Sequence, residues 1–240
     1  MKKPLEVTVL MPVYNEELSI QQVLNEVYEE LNGKIPFEII IVEDGSTDRT
    51  KEVLRKLEKK MPITLILRDM RRGYSFAILD GLKHVNTKYV LISDSDGQYE
   101  AKDFWKLYKN RGKYDIVSGW RVKREDSFHR RIMSNVFQWL TRVMFKVAMK
   151  DITSSYRLMD SRAAQVVASR YRHMQESFWT EFTVIALTKG LSIIEVPIKH
   201  KKRERGSTNV YKLIKTPGIV IRQIINLIRL WLDLHTYSEQ

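Results

Sequence analysis

Between Val7 and Gly119 the chain repeats one pattern, a short apolar run followed by an amphipathic stretch and then the next apolar run. Val7 to Met11, Phe37 to Val42, Ile63 to Arg68, Tyr89 to Ser93 and Asp115 to Gly119 read as strands. Glu17 to Leu31, Lys51 to Lys59, Ser75 to His84 and Ala101 to Asn110 read as the helices between them, the first carrying apolar Leu18, Val23, Leu24, Val27 and Leu31 on one side. Strands separated by helices of this length call for right-handed βαβ crossovers, hence an α/β fold built on a mostly parallel sheet flanked by helices. Such sheets bind ligands at the carboxyl ends of their strands. Polar residues gather at those ends: Tyr14-Asn15-Glu16, Glu43-Asp44, Asp94 with Asp96, and Trp120-Arg121.

The run Tyr89 to Ser93 stops in Asp94-Ser95-Asp96-Gly97-Gln98. Two carboxylates at this spacing suit an irregular loop that aims both at one point, and a hard divalent cation such as Mg2+ or Mn2+ is what such oxygens hold. An acidic turn with Gly97 supplying its backbone angle is the plainer reading. Neither a dinucleotide fingerprint nor a phosphate-binding P-loop occurs anywhere in the chain, which disfavours a dehydrogenase or an ATPase. The absence of cysteine excludes disulfides and thiolate metal sites. The histidines show no metal-ligand spacing.

The second half has a different texture. Ser127 to Lys150 reads as a long helix with Arg131, Ser134, Asn135, Gln138, Arg142 and Lys146 along one stripe and an apolar remainder that includes Trp139. After Pro217 a second helix confines its polar residues to Arg222, Asn226, Arg229 and Asp233. Wide apolar faces of this kind fit a protein core or a membrane interface. Between them lie a strand-like stretch, Leu191 to His200, and a basic run that ends in Arg203-Glu204-Arg205 before the loop Gly206 to Asn209. A net charge of +12 favours polyanions, lipid head groups or phosphorylated substrates. No apolar run is long enough to span a bilayer, and the first residues lack signal-peptide character, so a cytoplasmic location is expected, peripheral on the cytoplasmic face of the membrane.

Pro12-Val13-Tyr14-Asn15-Glu16, Val42 to Asp48, Gly73 with Ala77 and Gly81, and Asp94 to Gln98 resemble, in order and spacing, the family 2 inverting glycosyltransferases. Val117 to Arg121, Arg130 with Ser134, Asp151 to Arg157, Glu195 to Ile198 and Arg203 with Gly206 resemble the dolichol-phosphate mannose synthase and polyprenol-phosphate branch of that family. The resemblance implies a GT-A fold over residues 1–210, with residues 211–240 as an appended amphipathic helix. It implies transfer of one sugar from a nucleotide-sugar donor (a GDP- or UDP-sugar) to a polyprenyl phosphate, with Mg2+ or Mn2+ as cofactor. On it, Asp94, Asp96 and Gln98 meet the metal or the donor diphosphate, and Pro12, Tyr14, Glu16 and Asp44 line the nucleoside pocket. Arg121, Arg130, Ser134 and Arg203 hold phosphates, including that of the acceptor.

A lipid phosphate attacks without an enzymatic base, whereas a saccharide hydroxyl would need one, for which Glu181 or Glu176 is the candidate. The sequence departs from the family pattern at Glu43 for Asp, Ser155-Tyr156 for Gly-Phe, and Asn209 for Lys. The alternatives are a soluble transferase acting on a saccharide hydroxyl, and a non-catalytic module binding an anionic polymer. Acidic motifs at the sheet edge oppose nucleic acid as the partner.

Overall fold

A computed structural model describes residues 4–122, 128–202 and 216–236; in the helices that begin at Phe128 and Thr216, side chains are described from Ser134 and Ile221 onward. The elements in order are β1 (Val7–Val13), α1 (Ile20–Leu31), β2 (Phe37–Glu43), α2 (Thr50–Glu58), β3 (Ile63–Leu67), α3 (Tyr74–Leu82) and β4 (Tyr89–Ile92). A 3-10 turn at Ala101–Asp103 leads into α4 (Phe104–Tyr108), followed by β5 (Ile116–Arg121) and α5 (Phe128–Phe145). Then come β6 (Arg157–Asp160), α6 (Ser161–Ala168), α7 (Phe178–Thr188), β7 (Ile193–Ile198) and α8 (Thr216–Thr236).

The seven strands form one sheet in the order β3-β2-β1-β4-β6-β5-β7. All pairings are parallel except those of β6, which runs antiparallel to β4 and β5. Alternation along the central strands feeds two layers at once. Val7, Val9, Met11, Ile39, Ile41 and Leu91 pack under α1 and α2, while Leu10, Ile40, Val42, Val90 and Ile92 pack against α3, α6 and α7. Both faces are covered, so these strands are mostly apolar.

The expected helix Ser127 to Lys150 ends early, at Phe145, because Lys146 takes a positive φ of 53°. Arg142 then satisfies the carbonyls of Met149 (2.8 Å) and Lys150 (2.7 Å), closing the chain back toward the sheet. The structure also fixes which side of this helix faces the protein. Gln138 and Thr141 are buried, whereas Val136, Trp139 and Val143 are exposed. In α8, Gln223 and Asn226 join Leu227 and Leu230 on the buried side, while Ile221, Ile224, Ile225, Ile228 and Leu232 face outward. Among the described residues no helix is long and apolar enough to cross a membrane.

Candidate active site at the carboxyl edge of the sheet

Loops following β1, β2 and β4 meet at the carboxyl edge of three neighbouring strands, and β6, being antiparallel, contributes its opening residues to the same edge. The β4 loop carries Asp94 and Asp96. Ser95 ties it to β1 by donating to the Pro12 carbonyl at 3.0 Å, and Ser19 donates to the Ser95 carbonyl at 3.3 Å. Gly97 turns the chain at φ 77°, and the Asp96 carboxylate accepts from the Gln98 amide at 3.1 Å. Gln98 then clips to the segment after β7: Lys201 N–H donates to its carbonyl at 2.8 Å, and its side-chain amide donates to the Lys201 carbonyl at 3.0 Å.

Asp94 accepts from the Tyr74 hydroxyl at 3.0 Å and from the Ser155 hydroxyl at 2.6 Å. Burial pushes its carboxyl above the ordinary range, against the pull of those two hydroxyls and of the nearby Arg121 charge. Burial also pushes the Tyr99 hydroxyl up to about 12, and it raises that of Tyr74 with help from the negative charge of Asp94. Both phenols therefore keep their protons at neutral pH.

On the nucleotide side, Asp44 is buried and fully engaged. Its carboxylate accepts from the Arg68 guanidinium (2.6 Å), Arg72 N–H (2.9 Å) and Gly73 N–H (2.7 Å), which pins the 68–73 loop beside it. Gly45, at φ 73°, lets that loop approach, since a Cβ there would stand 2.5 Å from Arg71 N. Arg71 lies over the Tyr14 ring at 4.1 Å, a cation–π contact. Glu16 accepts from the Ser19 hydroxyl at 2.6 Å, while its own N–H donates to Thr50 at 2.8 Å.

Arg121 leaves the end of β5 in a two-pronged pair with Asp151, at 2.7 and 2.8 Å, and also donates to Thr153 at 2.8 Å. Glu195 holds the same segment by accepting from the N–H groups of Lys150 (2.6 Å) and Asp151 (2.8 Å). Beneath it Arg157, fully buried, donates to the Ile152 and Ser154 carbonyls and to the Thr183 hydroxyl, and sits 4.7 Å from the Trp179 ring. Desolvation draws its guanidinium down to about 10, which leaves it charged.

The expected residues Pro12, Tyr14, Glu16, Asp44, Asp94, Asp96 and Gln98 thus line adjoining loops at one edge. Ser134 lies on α5, where its hydroxyl accepts from Gln138 at 3.2 Å. The Arg130 side chain, Arg203 and the Gly206 to Asn209 loop lie outside the described residues.

Glu181 does not fit the role of a base. It is fully buried, and its carboxylate accepts from the N–H groups of Arg172 (2.6 Å), His173 (2.9 Å) and Met174 (2.6 Å), stitching the 170–174 loop to α7. It borders a cavity of about 170 Å3 with His173, Ile185, Lys189 and Asp233, whereas Asp94 borders a separate one of about 10 Å3 with Val27, Tyr99 and Tyr156. Glu176 pairs instead with Arg222 of α8 at 3.4 Å.

Tyr74 and Trp179 carry no motif that marks them in the sequence. Ser155, noted there within the Asp151 to Arg157 stretch and as a departure from Gly-Phe but given no role, spends its hydroxyl on Asp94. Divalent metal fits this edge by the chemistry of its donors: the Asp94 and Asp96 carboxylates and the Gln98 amide oxygen, hard oxygen ligands with no thiolate or imidazole among them. No group of three or more His, Cys, Asp or Glu side chains among the described residues could cage an ion. A site sharing its cation with substrate oxygens needs no such cage.

Known proteins resemble this chain in sequence and in fold. An undecaprenyl-phosphate 4-deoxy-4-formamido-L-arabinose transferase from Edwardsiella ictaluri is 29% identical over 214 residues, covering 87% of this chain and 64% of that protein. Its counterpart from Pectobacterium carotovorum is 30% identical, with 87% and 63% covered. The chain therefore spans somewhat under two thirds of the length of these relatives. Among solved structures, glucosyl-3-phosphoglycerate synthase from Mycobacterium tuberculosis, in complex with Mn2+ and UDP, superposes with a TM-score of 0.69 at 16% identity, over 94% of this chain and 79% of that one. TarS of S. aureus superposes at 0.61 and 17% identity, over 82% and 36%. These likenesses show the GT-A type fold. The profile described as Glycosyl transferase family 2 matches residues 8–167, and the chain belongs to that family.

Proposed function

We propose that this protein transfers one sugar, with inversion, from a nucleotide-sugar donor to a polyprenyl phosphate at the surface of a membrane. The observation that carries the reading is the placement of Asp94 and Asp96 between the β1 and β2 loops on one side and Arg121 on the other. A divalent cation held by Asp94, Asp96 and Gln98 would supply Lewis-acid neutralisation of the donor diphosphate. Pro12, Tyr14, Glu16 and Asp44 line the nucleoside side. The GDP- or UDP-sugar choice rests there, UDP being the nucleotide bound in the M. tuberculosis synthase.

Arg121, Arg130, Ser134 and Arg203 are assigned to phosphate, the acceptor's included, since a guanidinium fork matches two phosphate oxygens. For Arg121, reaching phosphate means sharing or leaving Asp151, so Asp151 holds it ready beside the donor. An acceptor phosphate is already an anion near neutral pH and attacks the anomeric carbon without proton removal. The engagement of Glu181 with three backbone N–H groups accords with a reaction that needs no base there. The names of the Edwardsiella and Pectobacterium relatives point to the same acceptor class.

Exposed Val136, Trp139 and Val143 on α5, and Ile221, Ile225 and Ile228 on α8, support peripheral binding at the cytoplasmic face. Exposed Arg222 and Arg229 flank the α8 residues and suit an anionic surface. No nucleic-acid partner is assigned. The test is radiolabelled sugar transfer into organic-extractable lipid, abolished by chelation and by Asp96→Ala. Label confined to water-soluble saccharide would overturn the acceptor assignment.

A further inference from the structure

Both oxygens of Asp94 are gripped by neutral hydroxyls, and each hydroxyl has a single proton to give. Where that proton points is decided by the next partner along. Trp179 Nε1–H can only donate, and it donates to the Tyr74 oxygen at 3.0 Å. The Tyr74 proton is thereby left for Asp94 Oδ1. On the other side, Ser155 lies 2.9 Å from the Tyr99 hydroxyl. An ionised carboxylate only accepts, so the Ser155 proton belongs to Asp94 Oδ2 and Tyr99 must be the donor to Ser155.

Two directed chains converge as a result, Trp179 to Tyr74 to Asp94 and Tyr99 to Ser155 to Asp94. Their outer members are fixed. Trp179 is buried among Phe178 and Phe182, and Tyr99 is buried and stacked on Tyr156 with ring centroids 4.9 Å apart. Neither chain uses up the carboxylate: each oxygen has two lone pairs and gives one to its hydroxyl.

We propose that Tyr74 and Ser155 are positioning residues for the divalent cation, clamping Asp94 so that the second lone pair of an oxygen faces the metal. The inference rests on the reading of Asp94 as a metal ligand. Hydrogen bonds from outer residues orient metal-binding carboxylates, and losing one typically weakens the metal roughly 10–100-fold. Ser155 and Tyr74 reach Asp94 from opposite halves of the chain, so each can be removed without disturbing the other.

The experiment titrates Mn2+ into the nucleotide-free full chain and reads free Mn2+ by electron paramagnetic resonance, for the wild type, Ser155→Ala and Tyr74→Phe. Each substitution deletes one hydroxyl and no other group. The expected result is a Kd for Mn2+ raised about tenfold or more in each variant. In the transfer assay, excess Mn2+ then restores kcat toward the wild-type value while the apparent KM for Mn2+ stays raised, a rescue that general structural damage would not allow. Wild-type affinity in both variants overturns the clamp and leaves the metal site standing. A wild type that binds no Mn2+ either alone or with UDP present, UDP being the probe for the donor's diphosphate oxygens, overturns the ligand role of Asp94 itself, and the clamp with it.

Discussion

Both halves of this molecule bury apolar cores, but the second adds a dense set of side-chain hydrogen bonds to its own backbone. From β1 to β5 the strands bury mostly apolar runs, with chemistry-bearing polar residues at their ends: every residue of β1 is buried, Thr8 among them on Glu38 and Thr87. Beyond β5 apolar packing continues, and side-chain hydrogen bonds to the chain's own backbone are added to it. Arg142 caps Met149 and Lys150, Glu195 binds the next two N–H groups, Arg121 grips Asp151, and Arg157 is buried whole to hold two carbonyls. In that half α5 and α8 turn polar Gln138, Thr141, Gln223 and Asn226 inward and leave isoleucines, valines and a tryptophan outside. A family scaffold can be built from apolar packing alone. The second half adds polar contacts to an apolar cluster of its own, Val147, Ile152, Val184, Leu227 and Leu230, while part of the apolar surface of α5 and α8 stays outside.

That contrast can be broken by mutation, beginning with the largest effect. Ile41→Ala, at a fully buried position between β1 and β3, should cost about 2–5 kcal/mol in urea unfolding, because it leaves a cavity under α1 and α2. Gln138→Leu should cost less, about 1–3 kcal/mol, since it strands the Ile152 N–H and removes the bond to Ser134. If the leucine stabilised the fold instead, the polar anchoring of α5 would be refuted. A double change on α8, Ile225→Ser with Ile228→Ser, should leave stability within about 0.5 kcal/mol. The same variant should lower sedimentation with anionic vesicles about tenfold, given the apolar area removed. Loss of stability with vesicle binding intact would mean that this face is packed on protein.

The same contrast decides what could be read from the sequence. β1 to β5 were legible because strands covered on both faces show as apolar runs, and Asp94 with Asp96 stood out as two carboxylates closing a buried run, a pattern that an acidic turn also gives. β6 was not: Arg-Leu-Met-Asp is four residues long, opens on an arginine and closes on the aspartate that caps α6. Its antiparallel direction, which carries Ser155 to Asp94, has no sequence signal. α7 hid as well, because a helix buried on all sides, with Glu181 and Thr183 inside, shows no period. α5 and α8 were legible as amphipathic helices, but periodicity names a stripe without saying which side faces the protein. The Tyr74 and Trp179 contacts join residues 105 apart in the chain, and only the folded backbone brings them together.

The smallest expected effect tests the polar anchoring at the sheet itself, where β5 meets the residue before β7. The Asp115 carboxylate accepts from the Ser192 hydroxyl at 2.7 Å and from the Ser192 N–H at 2.8 Å. Those two donors hold its carboxyl below the usual range, outweighing partial burial. The folded value therefore lies beneath the unfolded one, about 3.9 for an aspartate. The stabilisation is present above the unfolded value and disappears as pH falls through the folded one. Urea midpoints of the wild type and Asp115→Asn should differ at pH 7 by less than about 1 kcal/mol, since a half-exposed anchor is screened by water. The gap should close as the medium becomes acid enough to protonate the folded carboxyl. The deficit of Ile41→Ala, by contrast, should hold steady over the same range, because no titrating group is lost there. A gap for Asp115→Asn that stayed constant into strong acid would show that the carboxylate charge contributes nothing to this joint, which would then rest on the pairing of β7 with β5 and on apolar packing.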